Sequence, residues 1–292
     1  MKNRYKEAKK VSILGMIGNI FLFINKIIIG IITNSQAMLA DAFNSATDIF
    51  SSIMTYVGNR IASKKPDEDH DLGHGKAEYI YSMLISITMI LLSLSTLKSS
   101  IISIYHPEQY QYNNWLIIVC IITIITKTIL YIITSRIGKK HNNLLVKSNS
   151  EDHRNDVLIT TLNLISVILS KYDMIYFDSI GGILISLWIL RTGITIFKES
   201  YDILMDKTLP NNIKEEVLAI VEKYPEIIKT NHFNATPVGY KYQISLTIFV
   251  DGNLTTFESH EIANRLEEQI IEEIEEIFLA VIHVNPIDVN HK

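Results

Sequence analysis

Two runs of this 292-residue chain hold acidic groups among apolar neighbours. Asp41, Asn44 and Asp48 stand at i, i+3 and i+7 within the stretch Met38–Ile61. Asp152 and Asp156 stand at i and i+4, with Asn163 two turns further on. At 3.6 residues per turn each set lies along one helical face. An ionised side chain at bilayer depth costs about 2.5–3.5 kcal/mol on insertion scales and is functional by default. A single Asn or Asp serves often enough as glue between helices. Two such faces on separate spans are harder to explain that way, because carboxylates repel unless a cation lies between them. Arg154 points away from its flanking aspartates by helical geometry, so no Lys or Arg is expected to neutralise these faces. A bound divalent cation does so directly. His153 adjoins Asp152 but lies about 100° off the aspartate face and reads as a neighbour, not a ligand.

Helices of bilayer length must carry these faces. Crossing the hydrocarbon core takes about 20 mostly apolar residues. Val11–Thr33, Met38–Ile61, Tyr79–Ile101, Trp115–Ile137 and Phe177–Phe197 meet that, and Val157–Ser170 meets it if its helix extends back through Asn149–Asp156. The basic N-terminus leads into the first stretch without an A-x-A-like cleavage site, so that stretch is expected to stay as a membrane helix. Lys and Arg cluster at the N-terminus, in the second-to-third loop (Arg60, Lys64, Lys65, Lys76) and in the fourth-to-fifth loop (Arg136, Lys139, Lys140, Lys147). The turns Asn34–Ala37, His106–Asn114 and Lys171–Tyr176 carry one basic residue between them. The positive-inside rule then predicts six spans with both termini in the cytoplasm.

Composition marks a second part. Hydrophobic residues make up 48% of the chain and charged ones 20%, with a mean hydropathy of +0.20. The two classes are segregated: residues 1–206 carry net +3 and residues 207–292 net −7, within a total of −4. The tail alternates helix and strand signals: a helix over Asn211–Lys223, a weaker strand near Ile227–Asn234, a strand over Tyr240–Val250, a helix over Glu258–Ile277 and a short strand over Ala280–Val284 ended by Pro286. The order α-β-β-α-β predicts an α+β domain with helices on one face of a sheet. The single cysteine, Cys120, rules out an intrachain disulfide framework. No nucleophile–base set or phosphate loop argues for an enzyme, no resident cofactor is implied, and nucleic acid is not an expected partner.

These elements resemble the cation diffusion facilitator family along essentially the whole chain. The resemblance rests on LADAFNSATD in the second span, PDEDHDLGHGKAE after it, DHRND opening the fifth, YFDSIGG opening the sixth, and MDKTLP at the exit. It implies a six-helix transport domain over residues 1–206 and a ferredoxin-like regulatory and dimerisation domain over 207–292. It further implies export of a divalent metal from the cytoplasm by a homodimer, through alternating access, in exchange for protons. The plasma membrane is the expected host. The family's transport site falls here on Asn44, Asp48, Asp152 and Asp156. Its loop site falls on Asp67, His70 and His74, its cytoplasmic-domain site on His232, His260 and His283, and its charge interlock on Lys76 and Asp206. The tail departs from the pattern at Thr247 and Asn285, where many members have His and Asp, which argues against a binuclear zinc cluster there.

The transport set is one amide carbonyl and three carboxylates. Oxygen ligands suit Mg, Ca and Mn, while imidazole suits Zn, Cu, Fe and Ni. The set therefore predicts Mn²⁺ as the favoured ion and resembles the manganese-exporting subgroup. Zn²⁺ and Fe²⁺ are the alternative cargoes. A different class of function would be a non-transporting membrane protein whose tail senses metal.

Overall fold

The computed structural model describes residues 2–32, 36–105, 114–169 and 176–287. The expected turns His106–Asn114 and Lys171–Tyr176 lie almost wholly outside the described residues, as do Asn34 and Ser35 and the side chains of Gln36 and Ala37 in the expected turn Asn34–Ala37. Six long helices come first: α1 (Lys2–Ile32), α2 (Gln36–Ala62), α3 (Ala77–Tyr105), α4 (Asn114–Lys140), α5 (Leu144–Leu169) and α6 (Tyr176–Leu204). Among the described residues α1, α3, α4 and α6 are long and apolar enough to cross a membrane. Composition alone does not pass α2 and α5, and these are the two helices that carry the acidic faces. The fifth helix does extend back through Asn149–Asp156, beginning at Leu144.

The exterior and interior of this bundle are inverted relative to a water-soluble protein. Ile17, Ile31, Leu91, Leu184 and Trp188 are exposed, while Ser12, Asn19, Ser52, Ser82, Ser148 and Asn149 are fully buried. Lipid tails are as apolar as leucine, so small and polar residues between helices are what hold such a bundle together. The buried hydroxyls of Ser12, Ser82 and Ser148 each donate to the carbonyl four residues earlier, at 2.7 Å, 2.7 Å and 2.8 Å. Ile85, Met89, Leu145, Ile189 and Ile196 form an apolar cluster among α3, α5 and α6.

The start of α5 is fixed by one buried ion pair. Arg4 of α1 donates from Nη1 and Nη2 to the Glu78 carboxylate of α3 at 2.7 Å and 2.9 Å. The same guanidinium donates to the carbonyls of His141 and Asn142 in the α4–α5 turn, at 3.0 Å and 3.3 Å. Glu78 Oε1 also accepts from the backbone N–H of Leu144 at 2.8 Å, and Asn143 Oδ1 accepts from that of Val146 at 2.8 Å. Two of the free N–H groups at this helix N-terminus thereby gain acceptors. α5 starts at a position set by α1 and α3, and this determines how far along the bundle Asp152 and Asp156 come.

Contacts group the chain into two compact units, residues 1–64 with 77–201, and residues 65–76 with 202–292. The second unit holds α7 (Asn211–Val221), β1 (Lys229–Val238), β2 (Lys241–Asp251), α8 (Thr256–Glu273) and β3 (Ile277–Ile287). The sheet order is β1-β2-β3, with β1 antiparallel and β3 parallel to the central β2. The alternating burial of Ile244, Leu246, Ile248 and Val250 packs against Ile262, Leu266 and Ile270 of α8 and Val217 and Val221 of α7. β3 runs past Pro286, where the sequence signal ends it. It is an edge strand, so the missing N–H of proline costs no ladder bond there. In the connection before α3, Gly75 meets Gly239 so closely that a Cβ on Gly75 would lie 2.7 Å from the Gly239 Cα.

Candidate metal centre

The transport-site candidates come from α2 and α5, and a third helix joins them. Lys127, in the middle of α4, has its Nζ 2.7 Å from Asp48 Oδ2 and 2.5 Å from Asp156 Oδ2. The lysine side chain is 1% exposed and the two carboxylates 13% and 11%. Two oxygens from separate helices thus converge on one cationic atom inside the bundle. Asp152, one turn before Asp156, is 7% exposed and takes a hydrogen bond from Ser51, while its Oδ2 is buried without a partner. Asn44 belongs to α2, but its side chain lies outside the described residues, as does that of Asp41.

This corrects the expectation that no basic side chain neutralises the acidic faces. Arg154 is indeed engaged elsewhere, with Glu151 at 2.5 Å and Thr192 at 3.2 Å. The neutralising group comes from another element, which reasoning along α2 and α5 alone could not find. A signal was present: Lys127 stands alone in the middle of Asn114–Lys140, far from the basic cluster Arg136, Lys139 and Lys140, and an intramembrane lysine invites the same question as an intramembrane aspartate. A second lysine, Lys26 of α1, is also buried and lies within electrostatic reach of Asp156.

Around the carboxylates is a polar interior. Both side-chain polar atoms of Asn149, both ring nitrogens of His153 and Asn19 Oδ1 are buried without hydrogen-bond partners in the described structure. Asn19 Nδ2 donates to the backbone carbonyl of Asp48 at 2.9 Å and to Ser52 Oγ at 3.1 Å. α1 can approach these groups because Gly15 faces them: a Cβ there would stand 3.1 Å from Ser52 Oγ and 3.4 Å from His153 Nε2. Orphaned polar atoms in a dry interior are costly, and a path for water or ions is the ordinary reason that they persist.

Among the described residues, three donors from Asp67, His70 and His74 lie within 4.8 Å of one another, and the three span carboxylates form no group that tight. In the loop, His70 Nδ1 stands 3.1 Å from Asp67 Oδ1 and His74 Nε2 3.4 Å from Asp67 Oδ2. The backbone is a turn, with Gly73 at φ 74°, in keeping with the glycines that argue against regular helix. Desolvation raises the Asp67 carboxyl, but its hydrogen bond to His70 and the charge of His74 hold it below the usual carboxylate range. Two imidazoles and one carboxylate make a zinc-type donor set.

Lys76 Nζ donates to Asp206 Oδ1 at 2.7 Å, and both side chains are substantially exposed. His232, His260 and His283 form no such group in the described chain. His232 occupies a bulge in β1 at φ 50°, His260 is exposed on α8 beside Asn264, and His283 pairs across the sheet with Thr247.

Apolar helices around an acidic interior, followed by a separate α+β unit, define an integral membrane protein built to handle cations. Residues 12–205 match the cation efflux transmembrane domain and residues 209–287 the cytoplasmic domain of cation efflux proteins. The chain belongs to the cation efflux, or cation diffusion facilitator, family. It is 27% identical over 291 residues to the manganese efflux system protein MneP of Bacillus subtilis, covering 97% of each chain. Against MneS of the same organism identity is 28%, over 98% of this chain and 99% of the relative. The magnetosome protein MamM of Magnetospirillum gryphiswaldense is 26% identical, over 92% and 86%. Among solved structures, the metal-bound C-terminal domain of the CzcD transporter from Thermotoga maritima matches at 25% identity. That match covers 28% of this chain and 93% of the other, with a TM-score of 0.26.

Proposed function

We propose that this cation efflux protein carries a divalent metal out of the cytoplasm by alternating access, Mn²⁺ in preference to Zn²⁺ or Fe²⁺, as a homodimer with cytoplasmic termini and in exchange for protons. The observation that carries the reading is the convergence of Asp48 and Asp156 on a single cation, with the unpartnered Asp152 oxygen beside them. Intramembrane carboxylates cluster in this way along ion pathways. Asn44, Asp48, Asp152 and Asp156 are the proposed ligands, an all-oxygen set that suits Mn²⁺. The names of MneP and MneS favour the same cargo.

Charge supports the stoichiometry of one ion. Among the groups at the convergence point, the three carboxylates and the Lys127 ammonium leave two negative charges, which one M²⁺ neutralises; Lys26, from α1, adds its field from outside that group. An empty site needs replacement positive charge for its return, and a proton gradient provides it. The loop triad is proposed as a zinc-type structural or regulatory site, and Lys76–Asp206 as a tie at the membrane exit.

The test is metal flux into proteoliposomes containing the purified protein. Mn²⁺ flux exceeding Zn²⁺ flux, driven by an imposed pH gradient and abolished by Asp156→Ala, is the expected result. Flux that persists in Asp156→Ala overturns the ligand set, and flux indifferent to the gradient overturns the antiport.

A further inference from the structure

Lys127 has no place in a site made of ligands alone. Its ammonium is held by one oxygen from each of the two helices that supply the proposed ligands. A metal coordinated by Asp48 Oδ2 and Asp156 Oδ2 would occupy the space that Nζ now fills, so the two cannot be present together.

We propose that Lys127 is a tethered cation that fills the ion position between Asp48 and Asp156 when no metal is bound and yields it when a metal arrives. The inference deepens the transport-site reading and rests on it. Three observations carry it. The first is the shared Nζ, which bridges helices α2 and α5 as a metal would and keeps two repelling carboxylates together in its absence. The second is the orphaned Asp152 Oδ2, a third oxygen at the site that the lysine does not satisfy and a larger coordination shell would take up. The third is Thr123, one turn earlier on the same face of α4, whose buried hydroxyl has no partner. It offers the displaced ammonium an acceptor while the flexible four-carbon stem swings. The displaced ammonium stays among the polar groups inside the bundle, so its charge continues to offset one carboxylate in the loaded site. Lys26 and Asp152 are the other charged groups in electrostatic reach of the pair.

The proposal makes metal binding a competition with an internal cation, and two measurements on the full-length protein test it. Lys127→Met is expected to bind Mn²⁺ at least about tenfold more tightly than wild type, with Lys127→Arg restoring competition. Affinity in Lys127→Met equal to or weaker than wild type overturns the proposal. In the unmutated chain, saturating Mn²⁺ is expected to raise acylation of Lys127 by a small membrane-permeant amine reagent, read by peptide mass spectrometry. Labelling that is unchanged or lowered overturns it without requiring any variant to fold. Asp156→Ala separates the two levels of inference. If Asp156→Ala binds Mn²⁺ normally, the transport-site reading fails. If it loses binding while Lys127 labelling in the wild type ignores Mn²⁺, the site stands and the tethered cation falls.

Discussion

Replacing Glu78 by Gln tests how the structure sets the starting point of α5. The substitution keeps the shape and one acceptor but removes the charge facing Arg4, whose side chain is 5% exposed against 2% for Glu78. Three hydrogen bonds depend on that carboxylate: two from the guanidinium at 2.7 Å and 2.9 Å and one from the Leu144 N–H at 2.8 Å. Removing one partner of a buried pair leaves an uncompensated charge and costs about 3–5 kcal/mol, whereas replacing both by apolar groups is often close to neutral. Glu78→Gln is therefore expected to lose about 3 kcal/mol or more, and the double variant Arg4→Met with Glu78→Met to lose less than the sum of its singles. The double variant still leaves the Leu144 N–H without its acceptor, a loss of about 1–3 kcal/mol, so recovery is partial. Unfolding of the purified protein by SDS titration in mixed micelles, followed by far-UV circular dichroism, measures both. A loss below about 1 kcal/mol in Glu78→Gln, the range of exposed pairs, would refute the reasoning and mean that water reaches this pair.

Three further outcomes follow from other parts of the molecule. Asp152→His puts an imidazole into the oxygen set and is expected to shift selectivity in flux assays toward Zn²⁺; an unchanged Mn²⁺ to Zn²⁺ ratio counts against Asp152 as a ligand. Lys76→Ala removes an exposed pair and is expected to cost at most about 1 kcal/mol of stability, so a larger loss in thermal unfolding would point to a role beyond that pair. At the start of α8, Thr255 Oγ1 accepts from the Glu258 N–H, while the Thr255 N–H and hydroxyl both donate to Glu258 Oε2, and these last two bonds hold the Glu258 carboxyl below its usual value. A lowered folded-state pKa contributes stability above the unfolded value and loses it as pH falls through the folded one. Protection of the amides in the first turn of α8, measured against the intrinsic exchange rate at each pH, is therefore expected to fall on acidification below the ordinary glutamate range. Glu258→Gln should remove that pH dependence, and Thr255→Ala should cost about 1 kcal/mol.

Local pattern was enough for much of this protein. Long apolar runs have few ways to satisfy their backbone other than as helices, and the tail's alternation of helix and strand periods fixed its element order from Asn211 to the last strand. The i, i+4 spacing put Asp152 and Asp156 on one face because helical geometry needs no partner to do so. Pairings between distant segments obeyed no such rule. Nothing near Glu78 in the sequence points to Arg4 or Leu144, and nothing near Asp48 or Asp156 points to Lys127. Those contacts join residues 74 and 66 positions apart for the glutamate, and 79 and 29 apart for the lysine. Packing of whole helices decides them, since a carboxylate in a dry interior takes whichever cation the neighbouring helix brings to it.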